Sequence, residues 1–205
     1  MDKLRKMFCV NKRVTVFLIC LMVVAVLFGS FFPLFLSADD KVLVSNYISS
    51  FVLNIKDNID CMYLFKNGFF INVILMLVIW TLGISIIGIP IVVFLFFFKC
   101  FIFGFSISSI IFNYSFKGVL FGLIYIFPHE VINICTFIIL CNYSLVFSIR
   151  MLGLIFKRSD FNIRSSFSWY FKVLLINVFI VIVCVLYESF VNPFILRLIF
   201  NLLSL

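Results

Sequence analysis

The chain has 205 residues, of which 65% are hydrophobic and 12% charged, with 16 Lys and Arg against 8 Asp and Glu, for a formal net charge of +8. Soluble domains carry about 25% charged residues, and a chain this apolar has too little polar surface to cover itself in water. A soluble globular fold is therefore excluded, and the bilayer must act as solvent for the excess.

The apolar residues fall in blocks, and a membrane-spanning helix needs roughly 20 mostly apolar residues. The first block is Val14–Leu36, flanked by Lys12 and Arg13. It is longer than the core of a signal peptide, about 7–15 residues, and no small-residue cleavage site follows it. It reads as an uncleaved anchor. The segment Ser37–Gly68 follows as a loop of partly helical character. Within it Tyr47, Ile48, Phe51, Val52 and Ile55 recur at helical spacing, with Ser45, Asn46, Ser49, Ser50 and Asn54 between them. That pattern predicts an amphipathic helix capped by Asp39 or Asp40. Asn67-Gly68 predicts a turn into the next span.

The second block is Phe69–Gly88 and the third is Pro90–Phe112. Only Gly88-Ile89-Pro90 joins them. Gly suits a helix end and Pro a first helical turn, so the tripeptide predicts a tight helical hairpin. The fourth block, Gly118–Ile149, is longer than one crossing needs, and Pro128 within it predicts a kink or break. The fifth runs from Phe171 towards Leu196, with Trp169 and Tyr170 at the interfacial position before it. The expected fold is all-α, a polytopic bundle of about five transmembrane helices forming one integral membrane domain.

Lys and Arg are retained on the cytoplasmic side. Lys3, Arg5, Lys6, Lys12 and Arg13 precede the first span, and Arg150, Lys157, Arg158, Arg164 and Lys172 lie between the fourth and fifth, so ten of the sixteen basic residues sit in two places. Five crossings put both places on one side. The N-terminus is then cytoplasmic and the C-terminus extracytoplasmic, as is the Ser37–Gly68 loop, where three Lys face four Asp. The positive charge reports topology and contact with anionic membrane lipid. No nucleic-acid partner is expected, because the basic residues hug membrane ends.

Few residues inside the apolar blocks carry chemistry. Lys99 lies in the third span, His129 and Glu130 in the fourth just after Pro128, and Glu188 in the fifth ahead of Asn192-Pro193. At about 1.5 Å per residue, Lys99, His129 and Glu130 all fall near mid-membrane. An intramembrane charge costs at least about 2.5–3.5 kcal/mol on insertion scales and should find a partner. Lys99 and Glu130, on adjacent antiparallel spans, are expected to pair or to share a network with His129. The competing reading has Lys99 snorkelling to the surface and Glu130 protonated. Small residues mark close helix approach: Gly83, Gly104-Phe-Ser-Ile-Ser108 and Gly118-Val-Leu-Phe-Gly122. These serve packing within the chain or a homo-oligomer contact.

Catalytic patterns are missing. There is no phosphate-binding Gly loop, no Gly-x-Ser-x-Gly elbow and no His-Glu-x-x-His, since Asn133 and Ile134 stand where a second His would be needed. The seven cysteines form no Cys-x-x-Cys pair, so neither a metal site nor a cofactor is expected.

The stretch from Trp80-Thr-Leu-Gly83 through Gly88-Ile-Pro90, Phe98-Lys99-Cys-Phe-Ile-Phe-Gly104-Phe105, Lys117-Gly118 and Phe127-Pro128-His129-Glu130 resembles the stage II sporulation protein M family of bacteria. The likeness covers about residues 69–150, and the flanking spans and loop match the family layout. One departure is Cys100, where many members carry Gly. The resemblance implies a non-enzymatic scaffold for endospore engulfment in the mother-cell septal and engulfing membrane. It also implies peptidoglycan-degrading partners, stage II sporulation proteins D and P. The segment Tyr47–Ile55 is the candidate docking surface; otherwise it is a helix lying on the outer bilayer face. The alternative is a transport or permease-like subunit with a polar path through Lys99, His129 and Glu130.

Overall fold

The computed structural model describes residues 11–57, 61–122, 126–155 and 163–194, which are almost entirely helical and contain no strand. Among the described residues six helices follow in order: α1 Lys12–Phe31, α2 Ala38–Asp57, α3 Cys61–Ile84, α4 Gly88–Phe121, α5 Phe127–Ile155 and α6 Ile163–Leu186. Among the described residues five segments are long and apolar enough to cross a membrane: Lys12–Phe35, Cys61–Ile84, Gly88–Ser115, Phe127–Gly153 and Ser166–Phe194.

Helix α1 starts at Asn11, whose side chain accepts the Arg13 amide at 3.2 Å, and ends in a 3-10 turn, Phe32–Phe35, with Pro33 near its start. Helix α2 is longer than the sequence pattern suggests, and its cap is Ser37 in place of Asp39 or Asp40. The Ser37 hydroxyl accepts the Asp40 amide at 3.2 Å and donates to the Asp40 carboxylate at 2.6 Å, a reciprocal capping pair. The turn expected at Asn67-Gly68 is absent: α3 begins at Cys61 and runs through both residues. The helix tolerates Gly68 because α6 lies close by; a Cβ there would stand 3.3 Å from Val185 Cγ1.

The first hairpin turns at Ser85–Ile87. The Gly88 amide donates to Ser85 O at 3.2 Å and the Ile89 amide to Ile86 O at 3.3 Å. Gly88 opens α4, and a Cβ there would collide with the Leu82 carbonyl, so the tight turn requires glycine. Pro90 is the third residue of α4, where its missing N–H is not needed.

A second hairpin turns at Ser115, inside the sequence range of α4. Ser115 has φ 50° and ψ −128°, a region sparsely occupied by non-glycine residues. Beyond it the chain doubles back. The Cα of Gly118 faces Ile110 and Ile111, and that of Gly122 faces Ile107. Both glycines are buried against their own chain. Gly122 and Ile126 have π-helical backbone, and Pro128 is the second residue of α5.

Helix α1 crosses α4 along a seam of small residues. Side chains at Gly29 and Gly104 would strike the Phe101 and Val26 carbonyls respectively. The Ser108 hydroxyl donates to Ser30 O at 2.6 Å. Such close approach supplies dispersion contacts that lipid cannot match. Gly83 makes a comparable notch in α3, under the Tyr170 and Ser144 hydroxyls. Tyr170 donates to Trp80 O at 2.9 Å and its ring lies between Phe147, 4.9 Å away, and Trp80, 5.6 Å away.

Both ends of the bundle are defined by contacts. At one end Asn142 Nδ2 donates to Thr15 Oγ1 at 2.9 Å, and Ser148 donates to Gly83 O and Ser85 O at 2.6 and 2.9 Å. The start of α1, the first hairpin turn and the later part of α5 therefore share one end, with Lys12, Arg13 and Arg150. The Phe32–Phe35 turn, the start of α2 and Ser115 lie at the other. Lys3, Arg5, Lys6, Lys157 and Arg158 fall outside the described residues.

Candidate functional site

The two hairpins set where the polar side chains meet. In the first, Asn72 on α3 and Lys99 on α4 stand about equally far from the Ser85–Ile87 turn. In the second, Lys99 and Glu130 stand about equally far from Ser115. Turn position alone thus brings three polar residues from three helices to one level. Lys99 Nζ lies 3.1 Å from Glu130 Oε1 and 3.5 Å from Asn72 Oδ1. Asn72 in turn donates to Gly68 O at 2.9 Å. The Lys99 ammonium also stands 5.9 Å from the Phe137 ring centroid, within cation–π range. The geometry places Lys99 in contact with a carboxylate.

His129 is the neighbour of Glu130 but points to a different helix. Its Nε2 lies 3.6 Å from Glu188 Oε1, and its Nδ1 lies 3.3 Å from Asn192 Nδ2. Glu188 sits in a π-helical turn, Tyr187–Val191, that follows α6. Pro193 comes next but one, and a wide turn is one way a helix accommodates a proline. His129 and Asn192 are buried, and the side chains of Lys99 and Glu130 are 14% and 21% exposed.

The result is one polar layer through four helices: Asn72, Lys99, His129 with Glu130, and Glu188 with Asn192. Two cationic or protonatable groups face two carboxyl groups. Each charge costs several kcal/mol to place in hydrocarbon unless paired, so the layer dictates which helix faces point inward. Both prolines at this level, Pro128 and Pro193, adjoin π-helical backbone, a feature enriched at functional positions. Among the described residues no cluster of His, Cys, Asp or Glu is arranged to hold a metal ion.

The sequence patterns singled out Lys99, His129 and Glu130, and the structure brings all three into this layer. Asn72 carried no sequence signal beyond polarity in an apolar block. Glu188 and Asn192 were visible as polar residues, but their partner was not. Of the packing glycines, Gly83 and Gly104 lie at contacts between helices and Gly118 and Gly122 at the second hairpin. Gly29 carries a weak signal of its own, since Ala25 stands one turn before it in a small-xxx-small pattern.

On α2, Tyr47 is 76% exposed and Ile48 is buried, so only Tyr47 of these two projects outward. Val42 and Leu43 are also exposed. The side chains of Phe51, Val52 and Ile55 lie outside the described residues.

The profile of the family described as Stage II sporulation protein M, which is not a known enzyme family, matches residues 15–193. No curated protein matches the chain, and no solved structure does. The profile reaches into all five candidate spans and includes every residue of the polar layer. The chain belongs to the Stage II sporulation protein M family.

Proposed function

We propose that the protein is a multi-pass scaffold that holds extracytoplasmic peptidoglycan-degrading partners, stage II sporulation proteins D and P, at the mother-cell septal and engulfing membrane. Family membership carries this reading. It is supported by the placement of α2, which projects Tyr47, Val42 and Leu43 outward at the end of the bundle opposite Lys12, Arg13 and Arg150. By the positive-inside tendency that basic end is cytoplasmic, which puts α2 on the wall side. A photo-crosslinking side chain at position 47 in sporulating cells is expected to capture one of these hydrolases. Capture of lipid alone contradicts the scaffold role.

A second reading is favoured by one observation: π-helical backbone at Ile126 and at Tyr187–Val191 stands beside the polar layer. Interrupted helices at mid-membrane line the ion sites of many transporters. A proton or solute flux in liposomes that disappears in Glu130→Gln supports this reading, and its absence in the wild-type protein removes it.

A further inference from the structure

A cavity of about 410 Å³ opens where the α1 and α4 spans end and α2 begins. We infer that it holds the phosphodiester and glycerol portion of a membrane phospholipid, with the acyl chains leaving sideways into the bilayer.

Its walls are divided in character. Leu34, Val42 and Phe112 form an apolar rim and are 51%, 58% and 57% exposed. The neighbouring spans end at Phe35 and Ser115, so such a rim stands at the edge of the hydrocarbon. Lys41, Ser45, Ser109 and Asn113 supply the polar lining. Ser109 is 3% exposed, and its hydroxyl has no hydrogen-bond partner among the described residues. A buried hydroxyl left unpaired carries a desolvation penalty, and Ser109 stands in the wall of the cavity. Lys41 Nζ makes only a long contact, 3.4 Å, to Leu34 O, and this leaves further donor capacity on the ammonium. The Asn113 amide donates to Ser109 O at 2.8 Å and so fixes that wall.

The Lys41 ammonium is the one charged group in this lining, so the lining suits an acceptor-rich, negatively charged group. The level is also that of lipid headgroups: the two neighbouring spans end at Phe35 and Ser115. A volume in the range of small-molecule sites, an ammonium at the mouth and an apolar lateral rim together fit a lipid better than a soluble anion, which would leave the rim unused.

The test uses the full-length protein in vesicles of phosphatidylethanolamine and phosphatidylglycerol, the latter carrying a diazirine on one acyl chain near the ester. Irradiation and mass spectrometry should find adducts concentrated in residues 33–45 and 109–113. Lys41→Ala, which removes a charge-assisted contact, should cut these adducts about tenfold. Ser109→Ala, which keeps the packing, should also lower them, and Ser109→Phe should abolish them by filling the space. Soluble glycerol 3-phosphate in excess should not compete. Adducts spread evenly along all spans, adducts indifferent to Lys41→Ala and Ser109→Ala, or competition by glycerol 3-phosphate would each overturn the assignment.

Discussion

The seam between α1 and α4 and the polar layer through α3 to α6 hold helices together by opposite means. The seam has no charge: Gly29 and Gly104 bring backbones into direct contact, and Ser108 adds one hydrogen bond. The layer has little close backbone approach but gathers Lys99, Glu130, His129 and Glu188. In lipid the hydrophobic effect does not drive helices together, so association needs either tighter packing than lipid offers or polar groups with nowhere else to go. The seam is tuned by shape, and the layer by charge. Substitutions should therefore fail in different ways in the two places.

The largest effect is expected in the layer. Glu130→Ala leaves the Lys99 ammonium without its carboxylate, and breaking a buried pair in this way costs about 3–5 kcal/mol. Unfolding in mixed micelles should show that loss, and Glu130→Gln should show a smaller one. In the seam, Gly104→Leu should cost about 1–3 kcal/mol by forcing side-chain atoms against the Val26 carbonyl. Engineered cysteine pairs across α1 and α4 should then crosslink less, while pairs across α4 and α5 are unaffected. Ser108→Ala, which removes one interhelical hydrogen bond, should cost about 0.6 kcal/mol. Ser115→Gly tests the turn that sets the layer. Relief of the positive-φ residue should raise stability by about 1 kcal/mol without moving the Lys99–Glu130 contact.

The same contrast shows what the sequence makes legible. Adjacent spans are tied by short turns, so register can be counted along the chain. Gly88 and Pro90 mark the first turn, and Lys99 and Glu130 fall opposite each other across the second. The contact between Lys99 and Glu130 follows from counting. Contacts between spans that are not neighbours, or that are joined by longer connections, cannot be counted this way. The meeting of Gly29 with α4 crosses a separation of more than 70 residues. The meeting of His129 with Glu188 depends on the connection between α5 and α6. Neither can be read from spacing alone. Helix starts were missed for a different reason. Lys66, Asn67 and Gly68 look like a loop by composition, yet α3 runs through them because Asn72 bonds back to Gly68 O and Val185 packs over the glycine. Ser37 was likewise overlooked as a cap because the neighbouring aspartates drew the assignment to themselves.

The central claim is that α4 and α5 are held in register by a charge pair inside the membrane. Exchange of the two residues tests it most directly. Lys99→Glu and Glu130→Lys, made singly, should each lower the level of folded protein in membranes and its unfolding temperature in micelles. The double exchange should recover most of both. A double variant no better than either single one would contradict the pairing and the layer built upon it.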